Sequence, residues 1–485
     1  MSLSTIDIIG GPDAYLLEDK EKIEQAVILN DALRETLKSR IKPSVKKVIE
    51  TSDFISLPRN SRRDGNNVKD NPEKRRNMIK REHPEYSNIR SDNSEINKKR
   101  NVEVESLMLP WEFIPQYLLK LKFDCPNMYF IHLNNEIIQL VRWLELTPAE
   151  KFLRQRILAR IMLLSHTLWP NSKVQPFGSF FTGLSLPTGD LDICILNVSG
   201  SPKRRLRELA DALRNWDLCT GLELILTARV PIIKFVDSES CISVDISLNQ
   251  ESCIDTTQHI CECLKRFDVL RPLIITIKLF LHQRGLDETY LGGLGSYAQF
   301  CLILSFIQQH ISSYSSVIHQ MTSLGHLLFD FFELYGTIFN YSSTGIKVKD
   351  KGEYFPRKIS SSESTLSLES PLPPYNDIGR GTYKFNDVRQ SFRLAFLDLV
   401  ESRQKFIDIY SKNHNKRPKD PRSYSILSSI ICTNDELFHC RLRRENDNCT
   451  PVSSYRQPPT ITKDIINQVK QEMENFDCLK SSTNK

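Results

Sequence analysis

Residues Val174 to Leu196 read VQPFGSFFTGLSLPTGDLDICIL, joining a Gly-Ser pair, Gly178 and Ser179, to an Asp-x-Asp pair, Asp190 and Asp192. Val174 to Phe177 is apolar and short, as a buried strand is, and it stops at a glycine, where the backbone turns freely and approaches a ligand closely. Phe180 to Leu186 has the length of about two helical turns. A strand, a Gly-Ser pair and a helix start present backbone N–H groups and a hydroxyl to an anion, a common way of holding phosphate. Pro187, Thr188 and Gly189 make a turn, and Leu191, Ile193, Ile195 and Leu196 give the next strand its apolar residues. Alternate strand residues share a face, so Asp190 and Asp192 point the same way. Two adjacent carboxylates repel each other unless a divalent cation sits between them.

An isolated Asp-x-Asp is most often a pair of solvated aspartates after a turn; a third carboxylate changes that reading. Val230 to Val236 (VPIIKFV) reads as a strand, Asp237 to Ser240 as a turn, and Ile242 to Leu248 (ISVDISL) as a returning strand with Asp245 at its middle. An acid among Val244, Ile246 and Leu248 needs a partner. Two Mg²⁺ ions, about 3.5 to 4 Å apart and shared by three carboxylates, would supply one.

Gly178-Ser179, Asp190-x-Asp192 and Asp245 resemble the DNA polymerase beta nucleotidyltransferase superfamily. GSFFTGLSLPTGDLDI, ARVPIIKFVDSESCISVDIS, IKLFLHQRGL, LGGLGSYAQFCLILSF and NDIGRGTY continue the likeness in order, over Pro110 to Leu437. Together they resemble the noncanonical nuclear poly(A) polymerases, the catalytic-subunit type of TRAMP complexes. The resemblance implies an α+β fold: a polymerase-beta-like nucleotidyltransferase domain, with a mixed sheet and flanking helices, beside a mostly helical central domain, with disordered termini. The implied division is a charged arm over 1–105, helices over 106–170 that pack with the central domain, a catalytic domain over 171–250, the central domain over 251–440 and a tail over 441–485.

The resemblance further implies RNA 3′-terminal adenylyl transfer from ATP, with Asp190, Asp192 and Asp245 as catalytic metal ligands for two Mg²⁺ (or Mn²⁺) ions. Asp245 belongs to the first ion and is also a candidate proton acceptor. Gly178, Ser179, Lys278 and Ser296 would hold the triphosphate. Tyr297 would lie under the base, with Asn376 and Asp377, in the pattern shared by Gly379 and Arg380, as the nucleotide recognition motif. Read without the family, Lys278 is a helix lysine with His282 one turn on, Leu291 to Gly295 is a helix-start turn or a phosphate loop, Tyr297 a core tyrosine and Asn-Asp-x-Gly a turn. The implied partners are an RNA 3′ end, a zinc-knuckle RNA-binding protein and an RNA helicase, in nuclear surveillance ahead of exosome decay. Two departures stand out: Ser252-Cys253 where the family has Asn-Gly at a ribose contact, and a longer, Ser-rich stretch from Ser360 to Pro374.

The 485 residues carry 65 Lys plus Arg against 59 Asp plus Glu, a net +6 that favours nucleic acid only weakly. The 12 cysteines show no paired C-x-x-C spacing, which points to reduced thiols rather than zinc. No apolar run reaches about 18 residues and the first residues lack a signal-peptide pattern, so a soluble intracellular protein with no membrane contact is expected. Glu18 to Arg40 has helical spacing, whereas Pro58 to Asn101 is too polar to bury a core. Lys74-Arg75-Arg76 and Lys98-Lys99-Arg100 are a nuclear address, an RNA-contacting arm or a solvated tail, the nuclear resemblance favouring the first.

Helices are expected over Asn134–Leu144, Pro148–Leu168, Arg204–Trp216, Asp255–Phe267, Pro272–His282, Ser296–Ile311, Ser323–Phe339, Val388–Val400 and Tyr424–Ile431, with a further strand over Cys219–Thr227. Ile461, Ile465, Val469 and Met473 give the tail an apolar stripe for the protein's own surface or a partner. No RNP, KH or zinc-knuckle pattern occurs, so RNA affinity is expected to be weak and salt-sensitive. Two rival readings are a terminal uridylyltransferase, which often carries a recognition-loop histidine that Tyr375 to Thr382 lacks, and an inactive RNA or protein scaffold, which has no need of three acids.

Overall fold

The computed structural model describes residues 128–312, 323–357, 366–412, 425–432 and 463–483. The basic clusters, the Glu18–Arg40 helix, Ile461 and residues 360–365 of the Ser-rich stretch lie outside these residues.

Helices α1 (Met128–Leu144) and α2 (Pro148–Leu168) come first. The start of α2 is fixed by a capping box: Thr147 Oγ1 accepts from Glu150 N at 3.2 Å and Glu150 Oε2 accepts from Thr147 N at 2.9 Å. β1 (Lys173–Pro176), the one-turn helix α3 (Gly178–Thr182) and β2 (Leu191–Leu196) follow, then α4 (Pro202–Asn215), β3 (Cys219–Ile225), β4 (Ile232–Asp237) and β5 (Ser243–Leu248). α3 is shorter than the two turns expected, because Gly183 takes a left-handed conformation at φ 73° and ends it.

The five strands form one mixed sheet in the order β1-β2-β5-β4-β3. β2 and β5 run parallel and the other pairs antiparallel. Strand alternation sends Ile193, Ile195, Ile233, Phe235, Val244, Ile246 and Leu248 to one side, into a core shared with Ile157, Leu158 and Ile161 of α2 and Leu206, Leu209 and Leu213 of α4. α2 thus packs on the sheet, whereas α1 packs against the later helices. The other side of the sheet carries the polar residues of β2, β4 and β5.

The helical part comprises α5 (Glu251–Arg266), α6 (Leu270–His282), α7 (Ser296–Ser312), α8 (Leu324–Glu333) and α9 (Phe385–Lys412). α8 runs on through a π turn, Leu334–Ile338. A small sheet that periodicity did not reveal, β6 (Thr344–Lys347), β7 (Glu353–Pro356) and β8 (Leu368–Glu369), stands beside it in the order β7-β6-β8. Its strands are too short for a pattern to register.

Tyr424–Ile431 does not form the expected helix; its described part holds only a 3₁₀ turn, Leu427–Ser429. The competing interaction is Glu136 of α1, whose carboxylate accepts from Ile426 N at 3.0 Å and Leu427 N at 2.7 Å in a buried setting. The tail stripe forms α10 (Lys463–Thr483), and Val469, Ile465 and Met473 join the sheet's own core. His166 Nε2, fully buried, stands 3.2 Å from Glu472 Oε1 across that contact.

Buried amides that donate to a carboxylate lose charge-assisted hydrogen bonds and stay desolvated when it is removed. Glu136→Ala is therefore expected to lower unfolding stability by about 3 kcal/mol, measured by chemical denaturation, with Glu136→Gln recovering part of the loss.

Candidate active site

Register puts the polar side of the sheet to use. Asp192 pairs with Asp245 across the parallel β2–β5 ladder, and Asp245 pairs with Lys234 across β5–β4, so the three form one cross-strand row. Asp190 stands just before β2 on the same side. Lys234 Nζ is 3.1 Å from Asp190 Oδ2 and 3.6 Å from Asp245 Oδ1. The second distance is an ion pair rather than a hydrogen bond, and Asp245 Oδ1 is buried without a hydrogen-bond partner.

Gly178 makes this packing possible. At φ 67° it presents its Cα to the acids, and a Cβ there would lie 2.2 Å from Asp192 Oδ2. Its N–H is engaged by Thr257 Oγ1 of α5 at 3.3 Å, so it is not a free phosphate donor. Ser179 follows at the start of α3. Arg154, 1% exposed, reaches from α2 to donate to the carbonyls of Pro187 and Gly189, both at 3.1 Å, and so fixes the turn that delivers Asp190.

Electrostatics follow from this crowding. Burial, then the neighbouring Asp245 and Asp190, push the Asp192 carboxyl up to about 7. Burial also raises Asp245, against the opposing pull of Lys234. Burial disfavours the charge on Lys234, but Asp190 and Asp245 outweigh it and its pKa is raised. Lys278 Nζ donates to Leu184 O at 3.4 Å; burial lowers its pKa, while Asp192, Asp287 and Asp190 hold it up. His282 does not join Lys278 toward the acids but pairs through Nδ1 with Asp287 Oδ2 at 2.8 Å.

The donor set suits a divalent cation: three carboxylates on one side of a sheet, two with raised pKa values and one with an orphaned buried oxygen. As they stand, no three His, Cys, Asp or Glu side chains among the described residues converge as a ligand cluster. The Lys234 ammonium supplies the counter-charge to Asp190 and Asp245 instead.

The remaining expected residues lie at the start of α7 and in the loop before α9. Ser296 begins α7 and is exposed, while Tyr297 is half-buried with its hydroxyl in the interior, near Ser370 and Cys301. Asn376 is exposed. Asp377 Oδ1 accepts from Leu368 N at 3.0 Å and Gly379 N at 2.8 Å, so that carboxylate oxygen shapes the loop. The glycines of Leu291–Gly295 are needed for close packing: Cβ atoms at Gly293 and Gly295 would meet Leu286 O at 2.5 Å and Thr289 Cγ2 at 2.7 Å. Lys234, Arg154 and Thr257 were missed from sequence. A lone lysine in VPIIKFV opposite Asp245 was the available signal for the first; the other two had none.

Two family models match the chain: "Poly(A) RNA polymerase, mitochondrial-like, central palm domain" over residues 133–263 and "Cid1 family poly A polymerase" over 323–386. The chain is 34% identical over 281 residues to Trf4-2 of Drosophila melanogaster, named an inactive noncanonical poly(A) RNA polymerase, covering 55% of this chain and 68% of that protein. The chain belongs to the noncanonical poly(A) RNA polymerase family. Poly(A) RNA polymerase cid14 of Schizosaccharomyces pombe is 31% identical over 91% of this chain and 65% of its own length. The chain spans about half to two thirds of the length of the first curated relatives it matches. Among solved structures, the polymerase core of TRAMP, described as a RNA surveillance complex, superposes with a TM-score of 0.57 at 29% identity, covering 66% of this chain and all of that one. No helix among the described residues is long and apolar enough to cross a membrane.

Because the folded Asp192 carboxyl keeps its proton up to about pH 7 and the unfolded one only to about 3.8, its contribution to stability is full below 3.8 and is lost as pH rises through 7. Asp192→Asn is thus expected to melt several degrees above the wild-type protein at pH 8 in a chelator, with the gap narrowing as pH falls below 7 toward 3.8. Mg²⁺ at pH 8 is expected to raise the melting temperature of the wild type more than that of the variant, read by calorimetry.

Proposed function

We propose that the protein is a template-independent RNA 3′-terminal adenylyltransferase, which adds AMP from ATP to RNA 3′ ends. The observation that carries this reading is the row of Asp192, Asp245 and Lys234 with Asp190 at its edge, on the open side of the sheet of a family member. In the reaction the RNA 3′-oxygen bonds to the α-phosphorus of ATP, the α–β phosphoanhydride bond breaks, and pyrophosphate leaves. Two Mg²⁺ or Mn²⁺ ions held by Asp190, Asp192 and Asp245 would supply the Lewis acidity that activates the 3′-hydroxyl and offsets the charge of the leaving group.

The protein's own groups do the positioning. Lys278, Ser179 and Ser296 hold the triphosphate, Gly178 leaves room beside Asp192, and Asp245 takes the hydroxyl proton. Tyr297 supports the base, and Asn376, on a loop shaped by Asp377, closes over it. Catalysis then rests on orientation and electrostatics rather than a covalent intermediate. We infer assembly with a zinc-knuckle RNA-binding protein and an RNA helicase and a nuclear role that marks RNAs for exosome decay; the likeness to the polymerase core of TRAMP, a RNA surveillance complex, supports a part in RNA surveillance.

A scaffold reading has a specific basis too: one relative is named inactive, and Lys234 already forms ion pairs with two of the acids. The intact acid set favours the enzyme. The absence of histidine from residues 375–382 favours ATP over UTP.

With an RNA primer, Mg²⁺ or Mn²⁺ and each nucleotide in turn, ATP is expected to give the longest products. Asp192→Ala is expected to fall to background, a loss of roughly a thousandfold or more, with an unchanged circular dichroism spectrum. Extension by that variant would overturn the metal assignment, preference for UTP would favour the uridylyltransferase, and metal-independent inertness would favour the scaffold.

A further inference from the structure

The most solvent-exposed aromatic group in the described structure stands in the turn that follows the Lys278 helix, α6. Tyr290 is 90% exposed, next to Leu291 at 48%, and Tyr383 is 67% exposed. Tyr290 and Leu291 lie in a 3₁₀ turn, Thr289–Leu291, between α6 and α7. Tyr383 lies past the expected recognition motif, between the turn Gly379–Gly381 and α9. Neither ring is buried in a core.

The two loops are nonetheless pinned to each other. Tyr383 Oη donates to Tyr290 O at 3.3 Å, and Lys384 N donates to Gly292 O at 2.9 Å. Gly292, at φ 84°, lies flat under the Tyr383 ring, where a Cβ would come within 2.3 Å of Cε2. The turn is closed on itself by Leu291 N and Gly293 N, which donate to Glu288 O at 3.1 and 2.8 Å. The exposed rings are therefore held by backbone rather than hung from a loose loop.

The turn is tied to the site through Asp287, three residues before Tyr290, which pairs with His282 of α6 at 2.8 Å, one turn beyond Lys278, and Glu288 adds to the charge felt by Asp245 and Lys234. The same turn leads into Ser296. An acid at this point disfavours a phosphate, so the turn is suited to the uncharged face of a base. Exposed Arg380 and Lys384 on the partner loop provide the positive charge that a nucleic-acid backbone needs. Aromatic faces beside cations are the usual means of holding single-stranded RNA without sequence preference.

We propose that Tyr290, backed by Tyr383, is a stacking platform for a base of the RNA strand close to its 3′ end, separate from the Tyr297 position expected for the incoming nucleotide. The proposal rests on the polymerase reading for the identity of the strand. It also accounts for how a chain without a recognised RNA-binding module could hold its primer.

The test uses the full-length protein and an oligoadenylate primer. Tyr290→Ala, at a side chain with almost no buried contacts, is expected to raise KM for RNA at least about fivefold, with KM for ATP unchanged, and Tyr290→Phe or Tyr290→Trp is expected to restore it. A primer with a blocked 3′ end and 2-aminopurine near that end gives a readout independent of turnover: wild type quenches its fluorescence, and Tyr290→Ala does not. If RNA KM and quenching are unchanged in Tyr290→Ala, the platform is wrong, and the exposed rings are then better assigned to a protein contact. A rise confined to KM for ATP, or a loss that phenylalanine does not restore, also overturns it. If wild type shows Tyr290-dependent quenching but never extends an open primer, the polymerase reading fails and the platform stands.

Discussion

Mutual repulsion among Asp190, Asp192 and Asp245 is the constraint around which the surrounding structure is arranged. Two parallel strands in fixed register hold Asp192 opposite Asp245, and hydrogen bonding along the ladder prevents the pair from drifting apart. Burial first, and then the nearness of Asp245 and Asp190, push the Asp192 carboxyl up to about 7. Lys234 offsets part of the repulsion from the next strand. A cation with more charge than an ammonium would offset more, and that difference is the physical reason for proposing that these acids hold a metal.

The neighbouring elements keep that arrangement in position. Arg154 is spent on two carbonyls of the turn before Asp190, so a buried guanidinium adds to the turn's own Gly189–Leu186 hydrogen bond in setting where the acid emerges. Gly178 gives up a side chain because Asp192 occupies the space. α2, α4 and α10 fill the opposite side of the sheet with apolar residues, and the rigidity of that core lets the polar side carry unfavourable charge contacts. The tail helix belongs to the core of the five-stranded sheet through Val469, Ile465 and Met473, although it lies more than two hundred residues from β5 in sequence.

The central helices bring a second set of groups against the sheet. Lys278 stands within reach of Asp192 and Asp190, and the Asp287–Glu288 pair that follows α6 faces Lys278 and Lys234. The glycines before α7 serve this approach by packing tightly, rather than by opening a cradle. Asp377 spends one carboxylate oxygen on two amides, which gives the loop bearing Asn376 a defined shape.

The sequence by itself determined the elements and the acids. Strand alternation put Asp190, Asp192 and Asp245 on polar faces, and the Thr147–Glu150 box and apolar periodicities located α2 and most later helices, because these depend on local geometry. Only the tertiary structure decided which strands are neighbours, and hence that Asp192 faces Asp245 and that Lys234 stands between Asp245 and Asp190. It also decided that Glu136 would claim the amides of Ile426 and Leu427 and prevent a helix there, that Thr257 would take the Gly178 amide, and that the tail stripe would be buried at home. Each of these joins residues remote in sequence through one buried polar group or one apolar face, and a period read along the chain carries no information about what lies across from it.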